Sequence, residues 1–144
     1  MATKKLSILL VDDDEVDVMT VKRAFRKNEL EHQLWVASNG LEALDILRGN
    51  QPKSTHLFPN CNRLILLDLN MPKMGGIEFL QEMRADNALK AIPVVILTTS
   101  NEDKDKVSAY NFNVAGYLIK PVTFDKFVKT IATLNQYWLA SEIL

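Results

Sequence analysis

The chain has 144 residues and a formal net charge of -1; 47% of its residues are apolar and 24% charged. That length suits one domain with a full hydrophobic core, and the near-neutral balance carries no global signal for nucleic acid or an anionic membrane. The single cysteine, Cys61, excludes an intramolecular disulfide, and with only His56 near it offers too few groups for a metal site.

Five short apolar runs alternate with segments of helical spacing. The first run, residues 6–11, follows a polar, basic start and ends in three aspartates, too short for a signal-peptide core. No stretch approaches a membrane span, so a cytoplasmic location is expected. Val18, Val21 and Phe25 then share one helical face. The second run, 33–37, precedes a helix striped by Leu41, Leu44 and Leu47. A long loop from Gly49 to Asn62, holding Pro52 and Pro59, reads as a surface excursion. The third run, 63–67, leads past Gly75-Gly76 into a helix with Ile77, Leu80 and Met83 on one side. The fourth run, 92–98, precedes a thinly striped helix over about 101–112, carrying Val107 and Tyr110. The fifth, 116–119, precedes a helix with Phe124, Phe127, Val128 and Ile131 that continues toward Tyr137 and Trp138. Runs rich in Ile, Val and Leu with little alternation fit strands buried on both faces. Five strand–helix units imply a doubly wound α/β domain built on a parallel sheet, spanning 1–144 with no output domain.

In such a sheet, ligands bind beyond the carboxyl ends of the strands, at the topological switch point. Asp12, Asp13 and Asp14 follow the first strand, and Asp68, Leu69 and Asn70 the third. Thr98 ends the fourth strand and Lys120 the fifth. Clustered carboxylates repel one another unless a cation neutralises them. Asp13, Asp68 and the backbone carbonyl of Asn70 are candidate direct ligands, with Asp12 acting through a bound water. Few carboxylates and several retained waters suit Mg2+, with Mn2+ an alternative. Lys120 and the Thr98 hydroxyl would each meet an oxygen of a phosphoryl group. Asp68 is then a carboxylate nucleophile for phosphoryl transfer, and its acyl phosphate is open to hydrolysis. The expectation is a self-modifying domain and not an enzyme acting on an external substrate.

Leu10-Val11-Asp12-Asp13, the segment Leu67-Asp68-Leu69-Asn70-Met71-Pro72, Gly75-Gly76, Pro93 through Thr98, and Gly116-Tyr117-Leu118-Ile119-Lys120-Pro121 together resemble the CheY-like response-regulator receiver family of two-component phosphorelays. The resemblance covers nearly the whole chain. It implies a flavodoxin-like (βα)5 fold of strand order 2-1-3-4-5, the order the general rule gives for CheY itself. It implies that Asp68 is the phosphoacceptor, that Asp12 and Asp13 hold the cation, that Thr98 and Tyr117 form a switch pair, and that a cis peptide joins Lys120 to Pro121. The long loop and the ending Tyr137-Trp138-Leu139 look like the subgroup associated with phytochrome-type kinases. The implied partner is a sensor histidine kinase, of the phytochrome type in that subgroup; the apolar ending Tyr137-Trp138-Leu139-Ala140 would in addition suit contact with a second copy of the chain. The homodimer would form through the fourth helix, fifth strand and fifth helix, or through the C-terminal helix. Neither nucleic acid nor membrane is an expected partner.

Plainer readings exist for each residue alone. Asp12 to Glu15 has the pattern of a helix start, with Asp14 as its cap. Lys120 is ordinarily a solvated strand end, and Thr98 an ordinary β-branched strand residue. An aspartate-nucleophile phosphatase of the haloacid dehalogenase type needs a second acid two residues after the first, where Asn70 stands. No G-x-G-x-x-G or P-loop supports a nucleotide-binding protein, and the full set Asp12, Asp13, Asp68, Thr98 and Lys120 argues against a receiver lacking the chemistry. Thr99 is larger than the Ala or Ser usual after the switch threonine. Thr99→Ala is expected to speed reaction with small phosphodonors; unchanged or slower phosphorylation and hydrolysis would contradict this.

Overall fold

The computed structural model describes residues 6–27, 33–50, 57–59, 62–69, 71, 73–98, 107, 114–120, 123, 125–126 and 129, with backbone alone at 24, 25, 27 and 98. Its elements run β1 (Ser7–Val11), α1 (Glu15–Lys27), β2 (Gln33–Ala37), α2 (Gly40–Leu47), β3 (Arg63–Asp68), α3 (Gly76–Ala85), β4 (Val94–Thr98) and β5 (Gly116–Ile119). The expected fourth and fifth helices fall outside the described residues, save for buried Val107 and the helical Asp125, Lys126 and Lys129.

Apolar runs without alternation become strands with two buried faces because helices cover both sides of the sheet. The five strands are parallel, in the order β2-β1-β3-β4-β5. Odd and even positions then separate into two cores. Ile8, Leu10, Leu64, Leu66, Val95 and Leu97 face the side where α1 brings Val18 and Val21. Leu9, Val11, Ile65, Leu67, Val94 and Ile96 face α2 and α3, through Ala43, Leu44, Leu47, Phe79, Leu80 and Met83. One chain winds to both sides of β1, so the switch point falls between β1 and β3.

Two helix stripes differ from expectation. Leu41 is exposed, while Gly40, Ala43, Leu44 and Leu47 are the buried face of α2. At 100° per residue Leu41 lies at the rim of that face, and Gly40 takes the inward position because a Cβ there would come within 2.7 Å of Met74 Cγ. In α3 the buried stripe includes Phe79 beside Leu80 and Met83, while Ile77 is only half-buried. Phe58, in the long loop, packs edge-on against Trp35 of β2 with ring centroids 5.0 Å apart.

Helix starts fix the loops that carry polar residues. Asp14 Oδ1 accepts from the Val16 amide at 2.9 Å, the expected cap of α1. Asn39 Oδ1 accepts from the Glu42 amide and caps α2. Gly75 and Gly76 begin α3, whose Gly76 amide donates to Leu69 O at 3.1 Å. This first turn rests on the chain just leaving Asp68: a Cβ on Gly76 would lie 2.7 Å from Leu69 Cα and 2.9 Å from Asp68 O.

Candidate functional site

The register sets the site. Val11 lies opposite Leu67, so Asp12 leaves β1 beside the point where Asp68 ends β3. Thr98 ends β4 opposite Ile119 of β5, and Lys120 follows directly. Both key acids are buried, Asp12 to 2% and Asp68 to 6% exposure, at the end of a sheet whose other buried residues are almost all apolar. Asp13 is exposed on the rim. One oxygen from each of Asp12, Asp13 and Asp68 falls within 4.8 Å of the others.

Lys120 closes the cluster. Its Nζ lies 3.3 Å from Asp12 Oδ2, 3.3 Å from Asp68 Oδ2 and 2.7 Å from Asp17 Oδ2. Asp12 Oδ1 is held by the Asp14 amide at 2.9 Å. Its other oxygen, Oδ2, is buried and accepts no well-aligned hydrogen bond among the described residues, since the ammonium at 3.3 Å stands off the hydrogen-bond direction. A buried carboxylate oxygen left in that condition, facing two further carboxylates, is a place where a hard divalent cation fits. An all-oxygen donor set suits Mg2+ or Mn2+ better than Zn2+ or copper.

Burial pushes the Asp12 carboxyl up to about 7 from 3.8; the charges of Asp68 and Asp17 add to this, while the Asp14 amide and Lys120 oppose it. A carboxyl raised in the folded state stabilises most fully below its unfolded value, and that contribution is lost as pH rises through 7. In chelator, the protein is therefore expected to be more stable at pH 5 than at pH 8 by roughly 3 kcal/mol from this group. Urea midpoints at the two pH values check it, and a higher midpoint at pH 8 would contradict it.

Of the expected residues, the structure brings together Asp12, Asp13, Asp68 and Lys120. Thr98 is placed at the end of β4 by its backbone, and Asn70, Thr99 and Pro121 lie outside the described residues. Tyr117 is half-buried and packs against the core on the α2–α3 side. Asp17 was not among the expected site residues. Its signal was available: it lies one helical turn before buried Val21, an acid at the edge of an inward stripe. An acid in a first helical turn is so ordinary that this passes as charge complementing the helix dipole.

Among the described residues no helix is long and apolar enough to cross a membrane. Residues 8–132 match the response regulator receiver domain. Response regulator Rcp1 of Synechocystis sp. (strain ATCC 27184 / PCC 6803 / Kazusa) is 35% identical over 137 residues, covering 95% of this chain and 91% of that protein. Its Mn2+-bound crystal form superposes with a TM-score of 0.66, at 35% identity over 93% of this chain and 94% of that one. The bacteriophytochrome response regulator RtBRR superposes with a TM-score of 0.78, at 38% identity over 91% of this chain and 78% of its own. The phosphorylated cyanobacterial phytochrome response regulator RcpA does so with a TM-score of 0.71, at 31% identity over 96% of both chains. A match over most of the length, with the site residues at the ends of the right strands, makes the chain a member of the response regulator receiver domain family, similar to its phytochrome-associated branch.

Proposed function

We propose that this receiver domain takes a phosphoryl group onto Asp68 from the phosphohistidine of a sensor histidine kinase of the phytochrome type. Asp12, Asp13, Asp68 and the Asn70 carbonyl would hold Mg2+ or Mn2+ beside it. The observation that carries this reading is the meeting of two buried carboxylates, Asp12 and Asp68, with Lys120 at 3.3 Å from each and Asp13 on the rim. Likeness to a Mn2+-bound Rcp1 and a phosphorylated RcpA supports it.

The bound cation would supply neutralisation of the carboxylates and of the charge on the phosphoryl oxygens. Asp68 Oδ attacks phosphorus in line; the new P–O bond forms as the P–N bond breaks, and the imidazole leaves with the electron pair. Lys120 Nζ, already beside Asp68, donates to a phosphoryl oxygen, and the Thr98 hydroxyl donates to another. Water later attacks the acyl phosphate, releasing inorganic phosphate and restoring the carboxylate, so the domain resets itself without an external substrate. Thr98 and Tyr117 would couple the event to β5 and the helices expected on either side of it in sequence by biasing a two-state equilibrium, and a second copy of the chain would dock there or on the expected C-terminal helix.

The test is intact mass after incubation with Mg2+ and a small phosphodonor. The parent protein is expected to gain one phosphoryl group, and Asp68→Asn or omission of Mg2+ to abolish the gain. Failure of the parent to gain mass, together with no change in tryptophan fluorescence on adding beryllofluoride, would mean that the fold acts by binding alone.

A further inference from the structure

Of the three carboxylates that Lys120 meets among the described residues, Asp17 is the nearest. Its Oδ2 is 2.7 Å from Lys120 Nζ, against 3.3 Å for both Asp12 and Asp68. Only the Asp17 distance falls in the range of a charge-assisted hydrogen bond. The pair is largely enclosed, with side-chain exposures of 14% for Lys120 and 22% for Asp17. The helix dipole accounts for an acid in the first turn of α1 but not for its direction, since Glu15 of the same turn is exposed.

Lys120 stands against the same two carboxylates, Asp12 and Asp68, that form the cation trio with Asp13. An ammonium and a divalent cation compete for those two groups. At such separations they also repel strongly. An ammonium that yields them needs another counter-charge if it is to stay near Asp68. Asp17, reaching in from α1, is that counter-charge.

We propose that Asp17 is a positioning residue: it holds Lys120 when a divalent cation occupies Asp12, Asp13 and Asp68, so the ammonium stays beside Asp68 without competing for the cation's ligands. This rests on the cation reading above. Removing the Asp17 charge turns Lys120 back onto Asp12 and Asp68, and the cation binds less well.

Mn2+ binding to the full chain, followed by electron paramagnetic resonance without any phosphodonor, tests it. Asp17→Asn is expected to weaken Mn2+ binding roughly tenfold, the size seen for groups that orient metal ligands. Asp17→Glu restores most of the loss. In a Lys120→Met background the same Asp17→Asn change costs less than about threefold, because its route through Lys120 is gone. Melting curves show that each variant is folded before Mn2+ is added. Equal affinity in the parent and Asp17→Asn, or the same tenfold loss with and without Lys120, overturns the inference and leaves the cation site standing. A parent protein that binds no Mn2+ overturns both.

Discussion

Lys120→Met is expected to destabilise the protein in chelator at pH 8 by about 3 kcal/mol and to slow phosphorylation of Asp68 by roughly a hundredfold or more. The ammonium faces three carboxylates, of which Asp12 has a fully buried side chain and Asp68 one that is 8% exposed. Taking away one partner of a buried pair leaves the other charge without compensation, which costs more than the pair itself contributes. Burial alone would lower the Lys120 pKa, yet the hydrogen bond that its ammonium donates to Asp17 and the charges of Asp12, Asp68 and Asp17 outweigh it and hold the value above 10.5. A lysine raised in this way contributes fully below its unfolded value and loses that contribution only as pH rises beyond it. The ammonium is therefore charged throughout the working range.

The pH dependence of the variant separates this account from simple loss of packing. As pH falls from 8 toward 5, Asp12 takes up a proton and one of the uncompensated charges disappears. The deficit of Lys120→Met should shrink over that interval, and added Mg2+ at pH 8 should shrink it too. Urea denaturation at both pH values, with and without Mg2+, reads the effect. A variant as stable as its parent in chelator at pH 8, or a deficit independent of pH, would sink the electrostatic account.

Much of this arrangement was legible beforehand because its causes are local or periodic. Runs such as Leu64-Ile65-Leu66-Leu67 have nowhere to go except a strand covered on both faces, and the acid after such a run must emerge at the carboxyl edge of the sheet. Asp12, Asp68 and Lys120 therefore converge as soon as the strands are parallel and ordered β2-β1-β3-β4-β5. What escaped depends on side-chain direction. Leu41 looks like core by composition and spacing, but the inward position of α2 belongs to Gly40, for a reason that exists only once Met74 is packed against it. Asp17 looks like a dipole acid until Lys120, 103 residues later in the numbering, arrives 2.7 Å away. Neither partner is near in sequence, so no window of residues carries the information.

Gly76→Ala should lower the melting temperature by roughly 10 °C, corresponding to about 3 kcal/mol, and reduce phosphorylation of Asp68 with it. Helix propensity points the other way: alanine is favoured over glycine by about 1 kcal/mol inside a helix. The contacts decide between them. A Cβ at this position meets Leu69 Cα at 2.7 Å, Asp68 O at 2.9 Å and Leu69 Cδ2 at 2.9 Å. Two of these atoms are backbone and cannot swing aside, so the first turn of α3 or the chain after Asp68 must move. The Gly76 amide bond to Leu69 O, 3.1 Å long, couples the two, and either movement shifts the Asp68 carboxylate relative to Asp12 and Lys120. Gly75 is the internal control. Its Cβ would approach nothing nearer than 3.7 Å, and its φ of -73° suits any residue. Gly75→Ala should stay within about 1 kcal/mol of the parent, the modest cost of alanine at a helix cap. Thermal melts of the two variants side by side give the answer: if Gly76→Ala melts no lower than Gly75→Ala, then α3 can move away from Asp68 at little cost, and the close backbone contact does not hold the acceptor in place.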